Sequence, residues 1–427
     1  MNWIKPLSSG QRVALALVLL LQLLLLLSVA QSRALADVTP QRLMLIGTLQ
    51  TVLYLVAVQG LIFLVIAAIL LRRFAMTALT ISLLLFANFA LTPVVRDSSY
   101  ITLPKNMDRK LRITGDVMPG FTGISRVTTD DKGFRTMGDV DYASNGTLRI
   151  FAIGGSTTEQ IHVSDEKTWT SLLQRELAGR VEQPVEVINT GVAGLRARHH
   201  HATLVEILDH HPDVVLFMMG LNDWNKHIVD HFDLWLTSVQ DSWNFAFDRS
   251  LLWKGMQILL SSRASEQGRT PDGIEVIDGN YYATQNDSLR RPDVRAFPVD
   301  SVSDDYRLWV GRIIETCLAH DIVCVFINQP NAYQSSIDVE LHRRLWMTPP
   351  NQPYTLTLEG MSAVAEFYNR WMLEAAREHG ITTCEVASRV PATTEFFYDD
   401  CHFNEGGSKL VASLVAGCLE PLTLQTP

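Results

Sequence analysis

The chain reads as an α/β protein with a doubly wound, parallel sheet of about five strands, preceded by N-terminal membrane-spanning helices. Three observations predict this. From Leu148 onward, apolar runs of strand length alternate with helical stretches. Before Arg96 come three long apolar runs without a single charge. Hydroxyl, amide, carboxyl and imidazole side chains gather just past the predicted strands, at the edge where open α/β sheets hold ligands.

The apolar runs are Val13 to Ala30, Leu43 to Leu71 and Ala75 to Val95. Each approaches or exceeds the roughly 20 residues a helix needs to cross a bilayer. None shows the polar face of an amphipathic core helix. Only Arg72, Arg73 and Phe74 separate the second run from the third, so those two form a tight hairpin. Lys5 and Arg12 hold the N-terminus in the cytoplasm, and three spans then carry everything after Val95 outward. Arg96, Lys105, Arg109, Lys110 and Arg112 oppose this orientation by charge count, but long domains translocate largely regardless of charge. Ala34-Leu35-Ala36 resembles a signal-peptidase site; cleavage there would leave two spans and the same final side. The expected location is the cytoplasmic membrane, with the domain on its outer face.

Residues 1–95 are thus the anchor, 96–146 a mixed, turn-rich connector, and 147–420 the domain. Leu148 to Ile153 predicts the first strand, and Lys167 to Arg180 a helix capped by Ser164 or Asp165. Val185 to Asn189 is strand and Arg198 to His211 helix. Val214 to Met219 is a continuous apolar strand, as a sheet covered on both faces requires. Asp304 to His320 is a helix, Ile322 to Asn328 a strand, and Met361 to His379 a helix. Ile381 to Val386 is the fifth strand and Glu405 to Cys418 the closing helix. The pattern lapses near 224–303, which reads as an insertion over the site. Its Trp224, Trp235, Trp243 and Trp253 pave a glycan or acyl subsite or form the insertion's own small core.

Bulk properties exclude several classes. The net charge of −9 argues against nucleic acid as a partner. Five cysteines in a chain this long make no disulfide scaffold, and an odd count leaves at least one unpaired. Cys401 and Cys418 bracket a predicted helix, which separates them too far for a direct bridge. No CxxC pair suggests zinc. The histidines at 199–201 and 210–211 face different directions on a helix, with no carboxylate at a fitting offset. They read as solvated or helix-end residues, and neither metal nor cofactor is expected. Gly133-Phe134-Arg135 reads as a structural docking segment.

The chemistry lies in four short stretches. Gly154-Gly155-Ser156-Thr157-Thr158 ends the first strand, and Asn189-Thr190-Gly191-Val192-Ala193-Gly194 follows the second. Gly220-Leu221-Asn222-Asp223 follows the third, and Asp399-Asp400-Cys401-His402 precedes the last helix. A serine hydroxyl is a poor nucleophile until a base takes its proton. His402 is the candidate base, and Asp399, three residues earlier, fixes its tautomer and stabilises the imidazolium. Asp400 is the rival acid; beside Cys401 it reads as exposed. The backbone N–H groups of Ser156 and Gly194 and the Asn222 amide suit a tetrahedral oxyanion. Any one stretch alone is an ordinary turn or cap; the combination in this order is what points to acyl-ester chemistry. The set differs from the G-x-S-x-G elbow, because residue 158 is threonine.

From Leu148 to about Ala416, outside the insertion, these blocks resemble the SGNH (GDSL-type) hydrolase superfamily. The resemblance implies a flavodoxin-like α/β/α sandwich. It implies Ser156 as nucleophile, Gly194 and Asn222 as oxyanion donors with the Ser156 N–H, His402 as base and Asp399 as its acid. Gly155 departs from the pattern, since many members have aspartate there. The implied function is a serine-dependent esterase or O-acyltransferase acting on acyl esters of envelope glycans or lipids. The alternative from another class is a catalytically silent, SGNH-like protein that binds glycan or scaffolds the cell envelope.

Overall fold

The computed structural model describes residues 100–423, apart from 116, 145, 234–272, 278–292, 321, 347–348 and 350–351. The chain divides into two compact units, 1–98 with 233–266 and 99–232 with 267–427. Apart from Asp233, the first unit lies outside the described residues, and so do the three predicted spans. Among the described residues no helix is long and apolar enough to cross a membrane.

Two strands come before the predicted domain. β1 (Asp108–Ile113) and β2 (Ile124–Thr128) pair antiparallel within the stretch that the sequence reads as connector. Then follow β3 (Leu148–Gly154), the one-turn helix α1 (Ser156–Glu159), α2 (Trp169–Ala178), β4 (Val185–Asn189), α3 (Ala197–Ile207) and β5 (Val214–Met218). Helix α4 covers 221–233. After it come β6 (Ile274–Ile277), β7 (Asp293–Val294), α5 (Asp304–Ala319), β8 (Val323–Ile327) and α6 (Val339–His342). The chain ends with β9 (Tyr354–Thr355), α7 (Leu358–Glu378), β10 (Thr382–Cys384) and α8 (Glu405–Thr423).

Five of these strands form one parallel sheet in the order β10-β8-β5-β3-β4. Numbered within the sheet this is 2-1-3-4-5, the flavodoxin-like order expected above. β3 and β5 are buried along their whole length; β5 therefore reads as an unbroken apolar run, and β3 as one interrupted only by Arg149, whose buried guanidinium donates to the carbonyls of His210 and Asp141. Gly154 pairs beside Met218, and Met218 beside Ile327. The loops after β3, β5 and β8 therefore leave the sheet at one level, and the site grows from that edge.

The structure corrects several boundaries. Thr168, not Ser164 or Asp165, caps α2 by accepting the N–H of Ser171. Trp224 belongs to no insertion: it lies fully buried in the main core, on α4. Trp235, Trp243 and Trp253 lie outside the described residues. β6, from the predicted insertion, pairs parallel with β1, giving a three-stranded sheet β2-β1-β6. Leu111, Ile113, Met118, Val127 and Ile277 give that sheet its own apolar core, joined by Val163 and Tyr398. The segment read as a connector is thus a small packed layer behind the loops that carry the site. Cys317–Cys324 and Cys384–Cys418 are disulfide-bonded, and Cys401 is free and buried.

Candidate active site

The turn that carries Ser156 is shaped by glycines. A Cβ on Gly154 would lie 2.2 Å from Thr158 Oγ1 and 2.7 Å from the Met218 carbonyl. No side chain fits between β3 and β5 there, and the chain turns at once into α1. Ser156 is its first residue and is half-buried. The turn ends at Gln160 in the left-handed region, φ 51°. Two devices hold it. Gln160 accepts the Trp169 N–H at 2.7 Å and donates to Ser408 Oγ at 2.6 Å. Buried Arg135 donates to the carbonyls of Glu159, Gln160 and Val163 and to Asp165. The Gly133–Arg135 segment therefore clamps the far end of the Ser156 turn.

The second loop is stitched to the first. Asn189 donates from Nδ2 to the Thr158 carbonyl at 2.6 Å and accepts the Gly191 N–H at 2.9 Å. The Ala193 N–H donates to the Glu159 carboxyl. Burial pushes that carboxyl's pKa up, against this hydrogen bond and the Arg135 charge. Gly194 is exposed with φ 75°, a conformation that strongly favours glycine.

Asn222 and Asp223, at the start of α4, reach back to the same loop. Asn222 Nδ2 donates to the Leu195 carbonyl at 2.8 Å, which leaves its second N–H for another acceptor. A Cβ on residue 155 would sit 2.9 Å from that nitrogen. The bare glycine at 155 thus leaves the space into which the Asn222 amide fits. Asp223 accepts the Ala197 N–H at 3.2 Å on both oxygens. Burial raises its carboxyl to about 7, opposed by the Arg196 charge and the Ala197 hydrogen bond.

The loop before α8 brings His402 to Ser156. His402 Nε2 lies 2.7 Å from Ser156 Oγ, and Nδ1 lies 2.7 Å from Asp399 Oδ2. Asp399 Oδ1 also accepts the N–H groups of Cys401 and His402, at 3.0 and 2.9 Å, so the acid is fixed by its own loop. Burial works to lower the His402 pKa, but the Asp399 charge and hydrogen bond outweigh it and hold the imidazole well above the usual 6.5. The Cys401 thiol, pushed up to about 11 by burial, is neutral beside it. Asp399, Cys401 and His402 place potential metal-ligand atoms within 4.8 Å of one another. The imidazole nitrogen that faces this cluster is already engaged by the carboxylate.

Asp400 is a correction. It is fully buried rather than exposed, and its carboxylate accepts the Trp346 N–H at 2.6 Å. The Trp346 indole lies nearly parallel to the His402 ring, with centroids 6.1 Å apart. Tyr398 is also parallel to His402, at 5.5 Å, and its hydroxyl meets His162 Nδ1 at 3.1 Å. The two adjacent acids thus differ in what they hold: Asp399 binds the His402 imidazole, and Asp400 holds the backbone of Trp346, an aromatic neighbour of that ring.

The histidine run also resolves residue by residue. His199 Nδ1 accepts the Arg196 N–H at 3.1 Å, the predicted helix-end role. His201 meets Thr316 Oγ1 at 3.2 Å and packs on Trp309. His210 packs among Phe151, Phe134 and Tyr142. His200 departs from the expectation: it is buried and lines the cavity beside Ser156 and Asn222. The sequence signal for it was weak, a histidine one helical turn past the oxyanion loop.

No protein-family profile and no curated protein matches the chain. Solved structures do. The chain is similar to the lipase/acylhydrolase of Enterococcus faecalis, at 15% identity over 64% of this chain and 96% of that one, TM-score 0.34. It is similar to a psychrotrophic esterase of a Pseudoalteromonas species, at 12% identity over 64% and 98%, TM-score 0.36. A member of the lipolytic G-D-S-L family from Veillonella parvula DSM 2008 matches at 12% identity over 63% and 96%, TM-score 0.32. Likeness of this size adds nothing to the site, whose reading rests on its own geometry.

Proposed function

We propose that this protein is a membrane-anchored serine esterase or O-acyltransferase of the cell envelope, acting on acyl esters of glycans or lipids. The observation that carries the reading is the unbroken line Ser156 Oγ, His402, Asp399, with 2.7 Å at each step. In this reading His402 Nε2 takes the Ser156 proton as Oγ attacks the acyl carbon. The oxyanion that forms is met by the N–H groups of Ser156 and Gly194 and by the Asn222 amide. Collapse expels the alcohol, which takes the proton from His402, and leaves the acyl group on Ser156. Water completes a hydrolysis; a sugar hydroxyl completes a transfer.

The envelope location is supported by the three uncharged apolar runs and by two disulfides, which persist in oxidising compartments. Protease added to intact spheroplasts should reach the domain, and protection until lysis would reverse the orientation. A silent glycan-binding or scaffolding role has no observation in its favour. The direct test of the enzyme is labelling with a fluorophosphonate. The wild-type chain should label, and Ser156→Ala should lose both label and ester turnover while keeping its fold. Label that survives in Ser156→Ala sinks the assignment.

A further inference from the structure

We propose that the acyl group is acetyl-sized, and that His200 closes the pocket that receives it. The inference rests on the serine-acyl reading above and adds the acyl class to it. Ser156 and Asn222, the candidate nucleophile and oxyanion donor, share a small cavity with Leu195, His200, Met218 and Met219. The cavity measures ≈ 220 Å³ with its open mouth included, and it has room for about one water-sized group. A methyl has that size; the tail of a longer acyl chain does not.

His200 sits in this wall unlike a packing residue. Its side chain is buried, and its Nδ1 has no hydrogen-bond partner among the described residues. An apolar residue of similar volume would fill the place without leaving a buried nitrogen unsatisfied. Burial also lowers its pKa to about 3, so the ring is uncharged at any working pH. A neutral imidazole beside two methionines from the end of β5 is compatible with a methyl, and it blocks extension of the chain by its bulk.

The experiment is an acyl-length profile with p-nitrophenyl acetate, butyrate and hexanoate. For the wild type, kcat/KM should fall at least tenfold from acetate to butyrate. His200→Ala should cut that ratio to less than threefold, chiefly by gain on butyrate. Met219→Ala, which opens the same cavity from the sheet side, should move the ratio the same way. A wild type that turns over butyrate or hexanoate as well as acetate overturns the inference, whatever the variants do. So does a folded His200→Ala that keeps the wild-type ratio. Absence of all ester turnover together with absence of fluorophosphonate labelling overturns the serine-acyl reading, and this inference with it. A flat profile in an enzyme that labels overturns this inference alone.

Discussion

The two halves of the site differ in how their polar atoms are satisfied. On the acid–base side, Asp399 accepts two backbone N–H groups besides the imidazole, and Asp400 accepts a third. Asn404 donates to the carbonyls of Pro119 and Thr394, which pins the loop at the start of α8. Thr393 Oγ1 is the exception there. On the oxyanion side, Thr158 Oγ1, Glu159 Oε2, His200 Nδ1, Trp224 Nε1 and the Tyr306 hydroxyl are all buried without partners among the described residues. The base and its acid are assembled by the chain's own hydrogen bonds. The other half leaves more of its buried polar atoms unpaired among the described residues.

The largest expected effect strikes the assembled half. Asp399→Asn should lower kcat by about ten-thousandfold, because the imidazole loses the partner that fixes its tautomer. The reaction needs neutral His402, so wild-type kcat/KM should rise with pH through a midpoint above about 6.5. Without the Asp399 charge that midpoint should move down. Asp400→Asn should lower thermal stability and leave the midpoint nearly in place. If pH–rate profiles show the reverse pair of effects, the two acids have been assigned the wrong way round.

Asn222→Ala probes the other half. It should cut kcat by about a hundredfold or more with KM little changed, since an oxyanion donor acts mainly in the transition state. An unchanged kcat would reduce Asn222 to a holder of the Leu195 carbonyl. Gly155→Ala sharpens the point. Its new methyl should press on the Asn222 amide and cost about tenfold in kcat, and that loss should vanish in an Asn222→Ala background. Additive losses in the double variant would mean that Gly155 acts elsewhere.

The smallest effect belongs to Trp346→Ala. An aromatic face beside His402 favours the imidazolium by roughly 0.5–1 kcal/mol, so its removal should lower the kcat/KM midpoint by about half a pH unit. A shift upward would show that the indole acts by shielding the ring rather than by stabilising its charge.

Much of this was legible in the chain. β5 is a short apolar run buried along its whole length, and β4 begins and ends at the predicted residues, Val185 and Asn189. The meeting of Ser156, His402 and Asp399 was legible because the chemistry proposed for them needs fixed side-chain types beside strand ends and a fixed spacing. What was not legible depends on distant partners. β1 opens with three consecutive charged residues, Asp108 to Lys110, before its two buried apolar ones, and its strand neighbour β6 lies more than a hundred and fifty residues away. The burial of Asp400 depends on the Trp346 backbone, and that of His200 on a helix packed beside the cavity. Spacing alone could not pair Cys384 with Cys418, because the bridge joins the end of β10 to a residue late in α8.

That last bridge has a topological consequence. Asp399 and His402 lie between Cys384 and Cys418, so acid and base sit inside one covalent ring, and Ser156 stands outside it. The ring closes over a separation of 34 residues, which by chain entropy restricts the unfolded state by about 4 kcal/mol. Joining the ring to Ser156 is then a docking of two pieces, one closed by oxidation and the other built from β3, its sheet neighbours β4 and β5 and the Arg135 segment. The timing of the first is decided by the compartment through which the chain passes, not by its sequence.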